Sequence, residues 1–202
     1  MARKLYGISG SRALRALWGI EETGIEYEHV PQHFRDAKTS ALYTAVNPNG
    51  RIPALVDGDL VLFESMAINL YLAKTYGGDL YPRDAAGEAK AWQWSVWGIS
   101  EIEPLQMQVV IQKLFVPVEK RDQSVIDNAT KGLERPFKVL DQELAKRPFL
   151  LGDRFSVADL NVAAVMALMD MVQLDYSHHA NIKRWATACY SRPALARARA
   201  KG

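Results

Sequence analysis

The chain has 202 residues, of which 49% are apolar, with a net charge of +2 and a single cysteine. That supplies one or two domains with substantial cores, and the dispersed Lys and Arg exclude a nucleic-acid stripe, a polybasic membrane patch and an acidic polymer as partner. The most apolar window, Val162 to Val172, is broken by Asp170 and is shorter than the about 20 residues of a bilayer span; MARKLYG has no apolar leader, and Cys189 has no internal disulfide partner, so the expected location is a reducing cytoplasm.

Lys4 to Ile8 reads as a strand. From Ser11 to Glu22 the residues Leu14, Leu17 and Trp18 share one helical face, and Gly24 follows as a C-terminal cap. Ile25 to Val30 alternates as a half-buried strand, which completes a β-α-β unit with parallel strands. A polar link, Pro31 to Asn49, carries a modest helix at Ala41 to Val46. Ala54-Leu55-Val56 and Leu60-Val61-Leu62-Phe63 then flank an Asp57-Gly58 hairpin signal, and Met66 to Lys74 is helical.

The pattern breaks at Gly77-Gly78-Asp79-Leu80-Tyr81-Pro82, and no convincing strand follows. Helices are expected at Glu88 to about Ile111, Ser124 to Leu144, Val157 to Met171 and Ile182 to Tyr190, with kinks or breaks at Pro104 and Pro136. The domains expected are 1–79, a linker 80–87, and an all-helical 88–202. Ser156-Val157-Ala158-Asp159 is a capping box with Phe155 and Leu160 as a hydrophobic staple, a folding device. His178 and His179 are neighbours and should point apart on a helix, so no metal site is expected.

Four segments, LYGISGSRALRALWGIEETGIEYE, NPNGRIPALVDGDLVLFESMAINLYLAKTYG, FLLGDRFSVADL and NIKRWATACYSRPALARA, together resemble the cytosolic glutathione S-transferase family over essentially the whole chain. The resemblance is to bacterial-type members with a serine-type loop and a theta- or phi-like first domain. It implies a thioredoxin-like α/β N-terminal domain, an all-α helical C-terminal domain, glutathione as co-substrate with no metal, and a homodimer with Asp57 to Phe63 and the helix after it near the interface. The implied reaction is attack of the glutathione thiolate on an electrophilic, mostly apolar small molecule to give a thioether, a detoxification chemistry. A non-catalytic binding or regulatory module, and a glutathione-dependent peroxidase or dehalogenase, are the alternatives.

The resemblance implies a cis Ile52-Pro53 bond that turns the Ile52 backbone towards the cysteinyl unit of glutathione. It implies that Glu64 meets the γ-glutamyl ammonium and Ser65, at a helix start, its carboxylate. Arg51, Lys38 and His33 are the candidates for the glycyl carboxylate. A free thiol ionises near pH 8.5, so a hydroxyl donor to the sulfur is required; Ser11 is preferred, with Ser9, Tyr6 or a backbone amide as alternatives. The loop from Gly7 to Arg12 has no cysteine, which disfavours thiol-transferase chemistry through a protein cysteine. The resemblance sets the second-substrate pocket at Ile8, Trp97, Glu101 and Met107, although tryptophans at helical spacing also read as core.

Overall fold

Strand β1 (Lys4–Tyr6) opens a four-stranded sheet with β2 (Glu28–Val30), β3 (Ala54–Asp57) and β4 (Leu60–Phe63), in the order β2-β1-β3-β4. The computed structural model describes residues 3–202. β1 and β2 are parallel, as their helical connection requires, while β1-β3 and β3-β4 are antiparallel. β2 is shorter than the six-residue strand expected, because β1 offers it only Lys4 to Tyr6 as partners. Helix α1 (Ala13–Thr23) buries Ala13, Ala16, Leu17, Trp18 and Ile20, and Gly24 ends it at φ 69°. Helices α2 (Ala41–Val46) and α3 (Ser65–Tyr76) follow.

The chain divides into two units, residues 1–83 with 191–202, and Asp84–Tyr190. The expected 88–202 domain is therefore corrected at its end. Residues 191–202, including helix α9 (Pro193–Arg199), belong with the sheet: α9 packs on α1 and buries Ala194, Leu195 and Ala198, and two arginines add ion pairs. Arg192 grips Glu22 through two nitrogens at 2.6 and 2.7 Å, and Arg197 donates to the Glu21 carboxylate and carbonyl at 2.8 Å.

Asp57, at the end of β3, accepts from Tyr76 at 2.6 Å and Tyr71 at 3.0 Å and pairs with Arg3 at 3.2 Å. Burial alone would raise its pKa; the hydrogen bonds from Tyr76 and Tyr71 and the Arg3 charge outweigh it and hold the carboxyl below its usual range. An acid with a depressed folded pKa stabilises the fold above its unfolded pKa, near 3.9, and ceases to do so as pH falls through the folded value. Asp57→Asn should therefore lower stability by a constant amount above about pH 5, the difference shrinking in more acidic buffer. Denaturant titrations across pH check this; a difference independent of pH would contradict it.

The second unit is helical: α4 (Ala85–Trp97), α5 (Glu103–Val110), α6 (Gln123–Leu144), α7 (Val157–Met171) and α8 (Ala180–Tyr190). The single helix expected over 88–111 is interrupted by a π-helical turn, Gly98–Ile102, directly before Pro104. Proline has no N–H for the i−4 carbonyl, and the wider turn absorbs that loss. Pro136 remains inside α6, whose buried face is Ile126, Ala129, Leu133, Phe137, Leu140 and Leu144. Nearly all of α7 is buried, and its start carries the expected capping box. Asp159 there is fully buried. Its Oδ2 accepts from the Ser156 amide and hydroxyl at 2.9 and 2.7 Å, and its Oδ1 from the Leu150 amide and the Trp185 indole, both at 2.8 Å.

Candidate functional site

Strand register brings the candidates of the first unit to one place. Val30 pairs with Tyr6, Tyr6 with Ala54 and Ala54 with Phe63, so these four form one rung across the whole sheet. Tyr6 lies in that rung, and the other candidates of this unit lie beyond it. His33 and Lys38 follow β2, Ile8, Ser9 and Ser11 follow β1, Arg51 to Pro53 precede β3, and Glu64-Ser65 follow β4. At about 4.8 Å per strand spacing the row is about 14 Å long.

The β1-α1 loop is held from three sides. The Gly7 amide donates to the Val30 carbonyl at 3.0 Å, His29 Nε2 lies 2.7 Å from the Gly7 carbonyl, and the Ser9 amide donates to the Lys201 carbonyl at 3.1 Å. Gly7 takes φ 138°, and a Cβ there would stand 2.3 Å from the Ala13 Cβ, so only glycine lets the loop lie this close to α1. The Ser11 hydroxyl donates to the Ile8 carbonyl at 2.7 Å and accepts from the Ala13 amide at 3.0 Å. Helix α1 begins at Ala13, two residues inside the expected span from Ser11, with Ser11 bonding its first amide. The Ser9 hydroxyl makes no hydrogen bond among the described residues. Tyr6 and Ile8 pack on the buried cluster of Ala13, Ala37, Tyr43, Ile52 and Ala54, the Tyr6 ring 5.7 Å from Tyr43.

The Ile52-Pro53 bond is cis, as the resemblance implied. Among the described residues no hydrogen bond closes on the Ile52 amide or carbonyl. The segment is positioned by two residues that sequence reasoning did not single out. The Tyr43 hydroxyl and Asn47 Nδ2 both donate to the Arg51 carbonyl at 2.6 Å, and Asn47 Oδ1 accepts from the Asn49 amide at 3.0 Å. Burial pushes the Tyr43 phenol up to about 12 although the Asn47 hydrogen bond pulls it down, so Tyr43 stays a neutral donor at physiological pH. The legible signal was Asn47 before a proline, a turn former whose amide can bond nearby backbone. His29 and its tether to Gly7 had no sequence signal. Gly50, at φ 58°, lies against the Lys38 backbone; a Cβ would stand 2.9 Å from Lys38 Cα. Lys38 is thereby brought beside Arg51, and both side chains are exposed. His33 Nδ1 accepts from the Arg35 amide at 3.1 Å, and its ring stacks on Phe34 at 4.4 Å.

Glu64 adopts φ 72° and ψ 110°, outside the regions open to most L-residues, at a cost on the order of 1–3 kcal/mol. Its carboxylate makes no ion pair among the described residues, and the hydroxyl of buried Ser65, first residue of α3, makes no hydrogen bond there. A strained residue beside polar groups without protein partners at a helix start makes this a candidate ligand position.

In the second unit Trp97 ends α4, half-buried and edge-on to Trp94 at 5.0 Å. Glu101 is exposed in the π-helical turn, and Met107 is half-buried in α5. The two histidines depart from expectation. They precede α8 instead of lying on it, so they are free of helical geometry and both rings converge on Glu134.

Family models for the glutathione S-transferase N-terminal domain and C-terminal domain match residues 1–74 and 103–193. The chain belongs to the glutathione S-transferase family. It is 33% identical over 197 residues to glutathione S-transferase GstB of Escherichia coli (strain K12), covering 95% of this chain and 94% of that one. It is 35% identical over 202 residues to glutathione S-transferase 3 of Zea mays, covering 95% and 90%. Among solved structures it is similar to the theta class glutathione S-transferase of the citrus canker pathogen Xanthomonas axonopodis pv. citri, solved with glutathione bound. There the identity is 28%, the TM-score 0.91, and the coverage 100% of this chain and 98% of that one. The mixed sheet with helices is the family's thioredoxin-like domain. Among the described residues no helix is long and apolar enough to cross a membrane.

Proposed function

We propose that this transferase binds glutathione along the sheet-end row and activates its thiol for attack on an electrophilic, mostly apolar small molecule, giving a thioether. The observation that carries the reading is the order in which the candidate groups stand along that row. Glu64 and Ser65 stand beyond β4, the Ile52 backbone beyond β3, the β1-α1 loop beyond β1, and Lys38 and His33 beyond β2. A γ-glutamyl head, a cysteinyl centre and a glycyl tail have that same order, and an extended tripeptide of about 3.6 Å per residue suits a row about 14 Å long.

In this arrangement Glu64 takes the ammonium, while Ser65 and the first amides of α3 take the γ-glutamyl carboxylate. Ile52 pairs strand-like with the cysteinyl backbone, and Arg51, Lys38 and His33 serve the glycyl carboxylate. The thiol then lies beside the β1-α1 loop, where Ser11 donates to the thiolate. In the ligand-free chain the Ser11 proton goes to the Ile8 carbonyl, so activation requires the hydroxyl to turn while it keeps the Ala13 amide as donor. Ser9, whose hydroxyl has no partner among the described residues, is the alternative donor, followed by Tyr6. Ile8, Trp97, Glu101 and Met107 are proposed for the electrophile. β4 leaves Leu60, Val61 and Phe63 exposed, an apolar strip that suits burial in a homodimer.

Calorimetry with glutathione tests the site. Ser65→Ala, Glu64→Ala and Glu64→Gly should each weaken binding at least tenfold, from the loss of one charge-assisted contact worth about 1.5–3 kcal/mol. Glu64→Gly separates strain from recognition: glycine accepts φ 72° without penalty, so the melting temperature should hold or rise while affinity falls. Unchanged affinity in all three variants would remove the γ-glutamyl assignment.

A further inference from the structure

We propose that Glu134, His178 and His179 form a binding site for a borderline divalent transition metal, with Zn2+ as the ion of choice, which ties α6 to the segment preceding α8. His178 Nε2 lies 3.2 Å from Glu134 Oε1, and His179 Nε2 lies 3.3 Å from Oε2. One ligand atom from each residue falls within 4.8 Å of the other two. A tetrahedral ion with bonds of about 2.0–2.1 Å holds its ligand atoms about 3.3 Å apart, so the carboxylate already stands at coordination distance from each imidazole. Two imidazoles and a carboxylate suit Zn2+, Co2+, Ni2+ and Cu2+, whereas Ca2+ and Mg2+ require oxygen shells that this trio does not supply. Three protein ligands leave the remaining position to water.

The histidines are held in place by α6 itself. Phe137, one turn on from Glu134, is buried and stands edge-on to the His179 ring at 5.6 Å. Asp141, a further turn on, accepts from the Asn181 and Ile182 amides at 2.9 and 3.1 Å and from Asn181 Nδ2 at 3.0 Å. The start of α8 is thereby pinned to the same face of α6 that carries Glu134. The His179 amide donates to the Tyr176 carbonyl, and its carbonyl accepts from the Lys183 amide. His178 is more exposed, and its ring lies 4.3 Å from that of His179. In the metal-free chain the imidazoles bond to Glu134; an ion replaces those bonds without moving the backbone, which keeps the ordering cost of binding small. Competition within the chain is limited, because Cys189 is fully buried and the His29 ring is tied to the Gly7 carbonyl.

The test is zinc titration of the untagged full chain by calorimetry without glutathione, whose thiol would itself bind zinc, together with the visible spectrum of the Co2+ complex. One zinc per chain, tetrahedral-type cobalt bands and a melting temperature that rises with zinc are expected. His178→Ala, His179→Ala and Glu134→Gln should each lower affinity at least tenfold and remove the zinc-dependent rise. If His179→Ala loses its fold with the Phe137 contact, exposed His178 and Glu134 still decide the matter. The proposal is overturned if the wild type takes up no zinc, if the His178 and Glu134 variants bind as the wild type does, or if only His33→Ala abolishes binding.

Discussion

Ser11→Ala should slow conjugation of a chloronitroaromatic by about 10- to 100-fold near pH 6.5, with little change in the KM for glutathione. The expectation rests on the donor's worth to an anion. A hydroxyl aimed at a thiolate contributes about 1.5–3 kcal/mol, and at about 1.4 kcal/mol per pKa unit its removal raises the thiol pKa by one to two units. The rate should therefore recover towards the wild-type value as pH rises past about 8.5, where free thiol ionises unaided. Absorbance of the bound thiolate against pH measures the shift directly. Ser11 also bonds the Ile8 carbonyl and the Ala13 amide, so its loss should cost about 1 kcal/mol of stability, which a melting curve separates from the chemistry. A larger shift of the pH-rate profile in Ser9→Ala or Tyr6→Phe would move the role to that residue.

The largest effect on stability is expected at Asp159. Alanine there would leave the Leu150 and Ser156 amides and the Trp185 indole N–H without their acceptor in a fully buried setting. At about 1–3 kcal/mol per stranded donor, partly relieved by rearrangement, the expected loss is about 3–5 kcal/mol. For a chain of this size that is a fall of roughly 6–20 °C in melting temperature. Asp159→Asn should recover part of it, since its carbonyl can still serve one pair of donors while its NH2 opposes the other pair. Burial raises the Asp159 pKa although the hydrogen bonds from Leu150, Ser156 and Trp185 favour the charged form. The sign follows: an acid with a raised folded pKa favours the fold least once pH has risen through that value, and Asp159→Asn should flatten this dependence. A loss under 1 kcal/mol in Asp159→Ala would show the carboxylate to be dispensable.

Much of the architecture was legible because short-range chemistry dictates it. Gly24 ends α1 in a left-handed conformation, Gly58-Asp59 turns β3 into β4 one residue on from the Asp57-Gly58 signal, the α6 stripe repeats at helical spacing, and Ser156 with Asp159 caps α7. Pro104 was legible as a break, though not as a π-helical turn, since that depends on how the flanking helices are packed. Residues 191–202 were assigned to the wrong unit, because the choice was made by α9 packing on α1 and by Arg192 and Arg197 meeting Glu22 and Glu21. Those pairs are more than 160 residues apart in the chain and leave no local pattern.

The sequence by itself determined which groups are available to a ligand: a proline after Ile52, an acid and a hydroxyl at the start of α3, and hydroxyls in the β1-α1 loop. Their placement was decided by the tertiary structure. The rung Val30-Tyr6-Ala54-Phe63 sets four loops side by side at one end of the sheet, and Tyr43 on α2, Asn47 at its C-terminal end and His29 on β2 hold two of them. The same holds for Glu134, His178 and His179, where adjacent histidines taken for a helix converge because the chain has not yet entered α8. Local periodicity fixes an element's face, whereas convergence depends on register and on contacts between residues far apart in the chain, which no window of sequence contains.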